Sequence, residues 1–171
     1  KVSLGLGPPV LMVQAVVGNG PCAVSLADDI IRSMTPAIRQ MMDVYQAHES
    51  SVLALQRVEP DQVSRYGIVK VSRTEGQVHE VVDMVEKPEP GKAPSNLATL
   101  CRYVLKPSIF ALLETTHEGV DREIQLQDAL LTMARQQQPL GLAFEAIHTA
   151  LATGSRPATR PRAHAHVPAP A

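Results

Sequence analysis

The stretch "CAVSLADDII", residues 22–31, combines a short apolar run with two adjacent carboxylates. Its first six residues are typical of a β-strand that is covered on both faces in a parallel sheet. Asp28 and Asp29 then fall at the carboxyl end of that strand, where open α/β sheets bind their ligands. Carboxylate oxygens are the ligands that Mg²⁺ takes, but for an isolated pair of aspartates the simpler interpretation is that Asp29 caps a turn. The stretch therefore predicts an α/β fold and leaves two roles open for its carboxylates.

Composition limits the class of protein. The chain has 171 residues, 44% of them hydrophobic, and a net charge of −1, which predicts one globular domain and argues against a nucleic-acid partner. Cys22 and Cys101 lack metal-type spacing, so we expect reduced thiols. The apolar run 10–17 is too short to span a bilayer. We expect a cytoplasmic protein without membrane association. Because the sequence begins at Lys1 rather than at a methionine, it could be a fragment.

Strand and helix patterns alternate along residues 21–147. "TPAIRQMMDVYQAHES" has helical spacing with Thr35 as its cap, and "DREIQLQDALLTMARQQ" predicts a second long helix capped by Asp121. "YGIVKV" and "VHEVVDMVEKP", joined by "RTEG", predict a β-hairpin. "SVLALQRV", "LATLCRYVL" and "LGLAFEAI" read as strands, and "KPSIFALLET" as a short helix begun by Pro107. These patterns predict a mixed, mostly parallel sheet flanked by helices.

The last residues differ in composition from the rest. Residues 148–171 are rich in Ala, Pro, Arg and His, with almost no large side chain to bury, so we predict a disordered tail. His164 and His166 could bind a metal weakly, but incidental histidines are the simpler interpretation. The predicted organisation is a partial domain over residues 1–147 followed by this tail.

Four ordered stretches resemble the bacterial UTP–glucose-1-phosphate uridylyltransferases. They are "GLG" at residues 5–7, "LADDII" at 26–31, "YGIV" at 66–69, and "VVDMVEKPEPGKAPSNLATLCRYVL" at 81–105 running into "REIQLQDAL". The resemblance implies a nucleotide-diphospho-sugar transferase (Rossmann-like) fold. It also implies uridylyl transfer from UTP to glucose 1-phosphate, which gives UDP-glucose and pyrophosphate with Mg²⁺ as cofactor.

The same resemblance implies roles for individual residues. Asp28 would hold Mg²⁺, Glu86 would bind the glucose and Lys87 its phosphate, with Lys87 and Asp28 as the catalytic pair. Gly67 would let the sugar approach the backbone, and Gly7 would lie against uracil. As Lys87 follows Glu86 in a strand, we expect its side chain to point the other way. Without the family context, Glu86 and Lys87 would read as a surface pair and Gly67 as an ordinary strand-start glycine.

Three weaker matches receive no firm role. Glu123 and Asp128 match a family segment near the sugar, but helix capping and solvation explain them nearly as well. Asn96 matches "APSNLA", and a turn is its alternative explanation.

Several family elements have no counterpart. The glycine-rich "GxGTR" loop that would bind the UTP phosphates, its following lysine and the later "DxG" aspartate are missing, so we expect a truncated chain. Pro8 and Pro9 replace the usual His-Ala after Gly7, which predicts a rigid loop there. The leading hypothesis is a uridylyltransferase that could form a homo-oligomer. The alternatives are an inactive remnant with the same fold and an unrelated α/β binding domain.

Overall fold

The computed structural model describes residues 6–26, 29–116, 125–144 and 147–150. These residues form four α-helices and eight β-strands. The helices are α1 (Gly7–Val17), α2 (Ala37–His48), α3 (Ser108–Thr115) and α4 (Leu126–Gln137). The strands are β1 (Cys22–Ser25), β2 (Asp29–Arg32), β3 (Val52–Arg57), β4 (Gly67–Glu75), β5 (Val78–Glu86), β6 (Leu97–Leu105), β7 (Leu140–Ala143) and β8 (Ile147–Ala150).

Six strands form the main sheet, in the order β1-β6-β3-β7-β5-β4, and β2 pairs with β8 in a second, two-stranded sheet. The prediction of a mostly parallel sheet is wrong: β3–β7 is the one parallel pairing within the described residues. The physical reason is the position of β6, which lies between β1 and β3 and runs antiparallel to both. The β4–β5 hairpin and the β5–β7 pairing add further antiparallel contacts.

Helices cover both faces of the main sheet and complete its core. On one face, α1, α3 and α4 contribute Val10, Phe110 and Met133 to a cluster with the apolar side chains of the strands. On the other face, α2 packs Met41 against β3 and β6. The predicted buried face of α4 is confirmed, since the following side chains are all buried: Leu126, Ala129, Leu130, Met133 and Ala134.

Helix α1 was not predicted from the sequence. Its residues are apolar nearly all round, so no 3.6-residue period marks it. The prediction that Pro8 and Pro9 form a rigid loop is wrong, because both lie in the first turn of α1. Proline suits that position since its missing N–H would have no acceptor within the helix.

The predicted helix caps were misplaced. Pro36 rather than Thr35 precedes α2, and Gln125 precedes α4, whereas Asp121 lies outside the described residues. The predicted β4–β5 hairpin is confirmed, with its turn at Gly76.

The described part of the chain contains no helix that is both long and apolar enough to cross a membrane. The backbone of β8 includes His148, where the tail is predicted to begin, and residues 151–171 lie outside the described residues.

Candidate functional site

Gly67 and Glu86 face each other at the open end of the β4–β5 hairpin. They are register partners, so the first residue of β4 lies beside the last residue of β5. Gly67 is buried. A Cβ atom on Gly67 would lie 2.9 Å from Glu86 Oε2 and 3.1 Å from Thr99 Oγ1. The absence of a side chain at Gly67 therefore makes room for the Glu86 carboxylate.

The other oxygen of that carboxylate faces Lys87. Glu86 Oε1 lies 3.8 Å from Lys87 Nζ, and the side chains are 56% and 64% exposed. An exposed pair of this kind contributes little to stability. Both groups remain accessible to a ligand: a carboxylate can accept hydrogen bonds from hydroxyl groups, and an ammonium can bind phosphate oxygens.

The backbone at Lys87 explains why these two side chains meet. Lys87 has φ +45°, in the left-handed region, and its N–H donates to the Tyr66 carbonyl at 3.0 Å. The prediction that Lys87 would point away from Glu86 is wrong, because β5 ends at Glu86 and strand alternation ends with it. The left-handed turn brings the consecutive side chains together.

Thr99 is a member of this cluster that sequence reasoning missed. Its hydroxyl donates to the Gly67 carbonyl at 3.3 Å, and it is half-buried in the middle of β6. A small polar side chain between the buried apolar residues Ala98 and Leu100 was the available signal.

Strand β6 also connects this cluster to the end of β1. The Leu26 N–H donates to the Cys101 carbonyl at 3.0 Å, and Arg102 hydrogen-bonds the Ser25 hydroxyl. Thr99 and Cys101 are two residues apart on one face of β6, a spacing of about 7 Å. The chain that leads into Asp28 therefore approaches the strand that carries Thr99.

The predicted metal ligand itself lies outside the described residues. Asp28 is not described, and only the backbone of Asp29 is, in β2 opposite Ala150. The residues that the structure does describe contain no group of three or more His, Cys, Asp or Glu side chains able to hold a metal. The role of Asp28 stays a prediction.

The remaining predicted residues are spread over the molecule. Gly7 is buried at the start of α1, which contacts β1 and α3. Asn96 has a loop role: its side chain accepts from Arg57 at 3.3 Å and its carbonyl from the Val58 N–H at 3.0 Å. Asp128 is exposed in the first turn of α4, and Glu123 lies outside the described residues.

Comparison with known proteins places this site in context. Residues 1–147 match the family model described as nucleotidyl transferase. The uridylyltransferase YngB of Bacillus subtilis, named UTP–glucose-1-phosphate uridylyltransferase, is 47% identical over 156 residues, which are 91% of this chain and 50% of the relative. A Staphylococcus epidermidis protein of the same name is 48% identical over 145 residues, 85% of this chain and 50% of the relative.

Solved structures agree with these relatives. A UDP-glucose pyrophosphorylase complexed with UDP-glucose superposes with a TM-score of 0.78 at 40% identity, covering 86% of this chain and 57% of the other. A UTP-bound UGPase from Acinetobacter baumannii superposes with a TM-score of 0.75 at 32% identity, covering 86% and 51%. The predicted resemblance is confirmed, and the neighbours support the nucleotide-diphospho-sugar transferase fold. The chain spans about half the length of the curated relatives that it matches.

Proposed function

Since the chain belongs to the nucleotidyl transferase family, we propose that it carries the sugar-phosphate part of a UTP–glucose-1-phosphate uridylyltransferase site. The observation that carries the proposal is the Glu86–Lys87 pair beside Gly67. An exposed hydrogen-bond acceptor and an exposed cation meet at 3.8 Å, next to a backbone without a side chain. Glucose 1-phosphate carries the complementary groups, hydroxyls and a phosphate, on one small molecule.

In the proposed reaction, a phosphate oxygen of glucose 1-phosphate attacks the α-phosphorus of UTP. A new phosphorus–oxygen bond forms, the bond between the α-phosphorus and its bridging oxygen breaks, and pyrophosphate leaves. Lys87 would neutralise the phosphate of the sugar and orient it for attack. Glu86 would hold the glucose by accepting hydrogen bonds from its hydroxyls. Gly67 would let the sugar lie close to β4, and Gly7 would lie against the uracil.

We further propose that Asp28 holds Mg²⁺. A carboxylate is a hard oxygen donor, and Asp28 follows the last residue of β1 by three positions in the sequence, so its chemistry fits this ion. When bound, Mg²⁺ would supply charge neutralisation for the UTP phosphates. Binding and orientation of the two substrates would fall to Glu86, Lys87, Gly67 and Gly7.

The reverse reaction tests this function on the chain as it exists. Purified protein is incubated with UDP-glucose, pyrophosphate and Mg²⁺, and the appearance of UTP is followed. Lys87→Ala should abolish UTP formation, whereas Lys92→Ala, an exposed lysine paired with Glu89 at 2.7 Å, should leave it unchanged. If a folded sample forms no UTP, the proposed activity of this chain is refuted and the alternative of an inactive remnant is favoured.

Binding separates the sugar-phosphate site from the complete reaction. Calorimetry with UDP-glucose should show binding that weakens in Lys87→Ala and persists in Lys92→Ala. A cytoplasmic location and a homo-oligomer are also part of the proposal. The solution mass of the chain, measured by light scattering, tests the oligomer.

A further inference from the structure

A cavity lies at the turn end of the β4–β5 hairpin, away from Glu86. Its volume is about 370 Å³, and its lining includes Gln56 and Arg57 at the end of β3, the Gly76–Gln77 turn, His79 and Phe144. His79 and Glu86 are seven positions apart on β5, which is about 23 Å along a strand. This volume is within the range of small-molecule sites.

His79 in the wall of this cavity has an unusual hydrogen-bonding state. The residue is only 1% exposed, and its Nδ1 lies 2.8 Å from the Thr74 hydroxyl oxygen. Its Nε2 is buried and has no hydrogen-bond partner within the described residues. Leaving a buried polar atom without a partner costs about 1–3 kcal/mol, so such an atom in a cavity wall favours a partner from the cavity, either a water molecule or a ligand.

The charge state of His79 limits what this ligand can be. Burial, and then the nearby Arg57, lower the pKa of His79, so the imidazole is neutral at neutral pH. When the Thr74 hydroxyl donates to Nδ1, the proton of the neutral ring is on Nε2. In that tautomer, Nε2 offers a hydrogen-bond donor rather than a charge.

Two neighbouring side chains supply the other donors. Gln56 is 9% exposed and lines the cavity, so its side-chain amide has N–H groups to offer there. Arg57 donates one N–H to the Asn96 side chain and keeps further N–H groups available on its planar guanidinium. Arg57 is the one charged side chain in the described lining of the cavity.

We propose that this cavity is a second ligand site, which binds a small molecule through a carboxylate or phosphate group held by Arg57, Gln56 and His79. Arginine pairs with both oxyanions through two parallel hydrogen bonds, and the amide and imidazole N–H groups complete the set of donors. Phe144 supplies an apolar wall for the rest of the ligand. The site does not depend on the proposed transferase reaction.

Histidine ring NMR tests this site directly. The full chain, labelled with ¹⁵N, is titrated separately with inorganic phosphate and with acetate, and with potassium chloride at matched ionic strength. His79→Gln assigns the ring signals, and the Gly76 amide gives a second readout at the same cavity. We expect a saturable shift of both signals with phosphate or acetate, and the anion that binds more tightly identifies the preferred group.

A pair of arginine variants, one on β3 and one on β4, supplies the control. Arg57→Gln should weaken the affinity at least about tenfold. Arg73→Gln should keep the affinity within about twofold, because Arg73 is exposed on β4, pairs with Glu75 at 3.5 Å and does not line the cavity. Equal binding by both variants, shifts that chloride reproduces, or no shift with either anion would each overturn the proposal.

Discussion

Glu86 Oε2 lies 2.9 Å from the position where a side chain on Gly67 would begin, so the glycine and the carboxylate share one space. The two residues are hairpin partners, and β4 and β5 hold them in register. The position of the Glu86 carboxylate thus depends on a residue nineteen positions earlier having no side chain.

Gly67→Ala should reduce UDP-glucose affinity at least tenfold, about 1.4 kcal/mol. The new methyl group would displace the Glu86 carboxylate and press on Thr99, while the free energy of unfolding should fall by only about 1 kcal/mol, because the carboxylate is at the end of an exposed side chain. Calorimetry and urea unfolding measure the two effects. Gly20→Ala, in the turn after α1, is the control that should bind normally. Unchanged binding by Gly67→Ala would refute the spatial argument.

Gly141→Ala should destabilise the core by about 1–3 kcal/mol. A Cβ atom there would overlap Leu55 Cδ1 and lie 2.9 Å from Leu55 Cγ, inside the packed core. In the double variant with Leu55→Ala, the methyl group enters the space left by the leucine. The double variant should therefore lose less stability than the sum of the two single variants, measured by urea unfolding. Strict additivity would contradict this packing.

The Asp83–Arg135 pair should make stability depend on pH. Arg135 Nε donates to Asp83 Oδ1 at 2.8 Å, and this hydrogen bond lowers the pKa of Asp83. An aspartate whose pKa is lower in the folded than in the unfolded protein stabilises the fold at pH values above its ordinary pKa of about 3.9. This stabilisation is lost as the pH falls below that value toward the folded-state pKa. Asp83→Asn should therefore lower the free energy of unfolding by about 0.5–1 kcal/mol at neutral pH, and by less at acidic pH.

Urea unfolding at neutral and at acidic pH measures the effect of Asp83→Asn. Asp43→Asn is the matched control, because Asp43 pairs with Arg39 at 3.0 Å on an exposed helix face. This substitution should lower the free energy of unfolding by less than Asp83→Asn does. A cost for Asp83→Asn that stays the same at both pH values would show that charge pairing is not its cause.

Cys22 should react with iodoacetamide more slowly than Cys101. Burial raises the pKa of the Cys22 thiol and excludes the reagent, whereas Cys101 is half-buried. The single variants Cys101→Ser and Cys22→Ser isolate each thiol, and mass spectrometry follows alkylation at about pH 8. The difference should disappear in urea. Faster reaction of Cys22 in the folded protein would contradict its burial.

Local patterns made much of the fold predictable. The β4–β5 hairpin, β6 and the buried face of α4 each have a period or a turn signal of their own. Helix α1 lacked such a signal because it is apolar on nearly every side. The order and direction of the strands were not predictable either, since they depend on where β6 inserts between β1 and β3.

The sequence by itself determined the identity of the candidate site residues, because the family motifs around Gly67, Glu86 and Lys87 are local and ordered. Only the tertiary structure decided how these residues meet. The left-handed backbone at Lys87 turns its ammonium toward Glu86, and Thr99 reaches Gly67 from 32 residues away. Long-range pairings and a single backbone angle set those contacts, and neither leaves a periodic mark in the sequence.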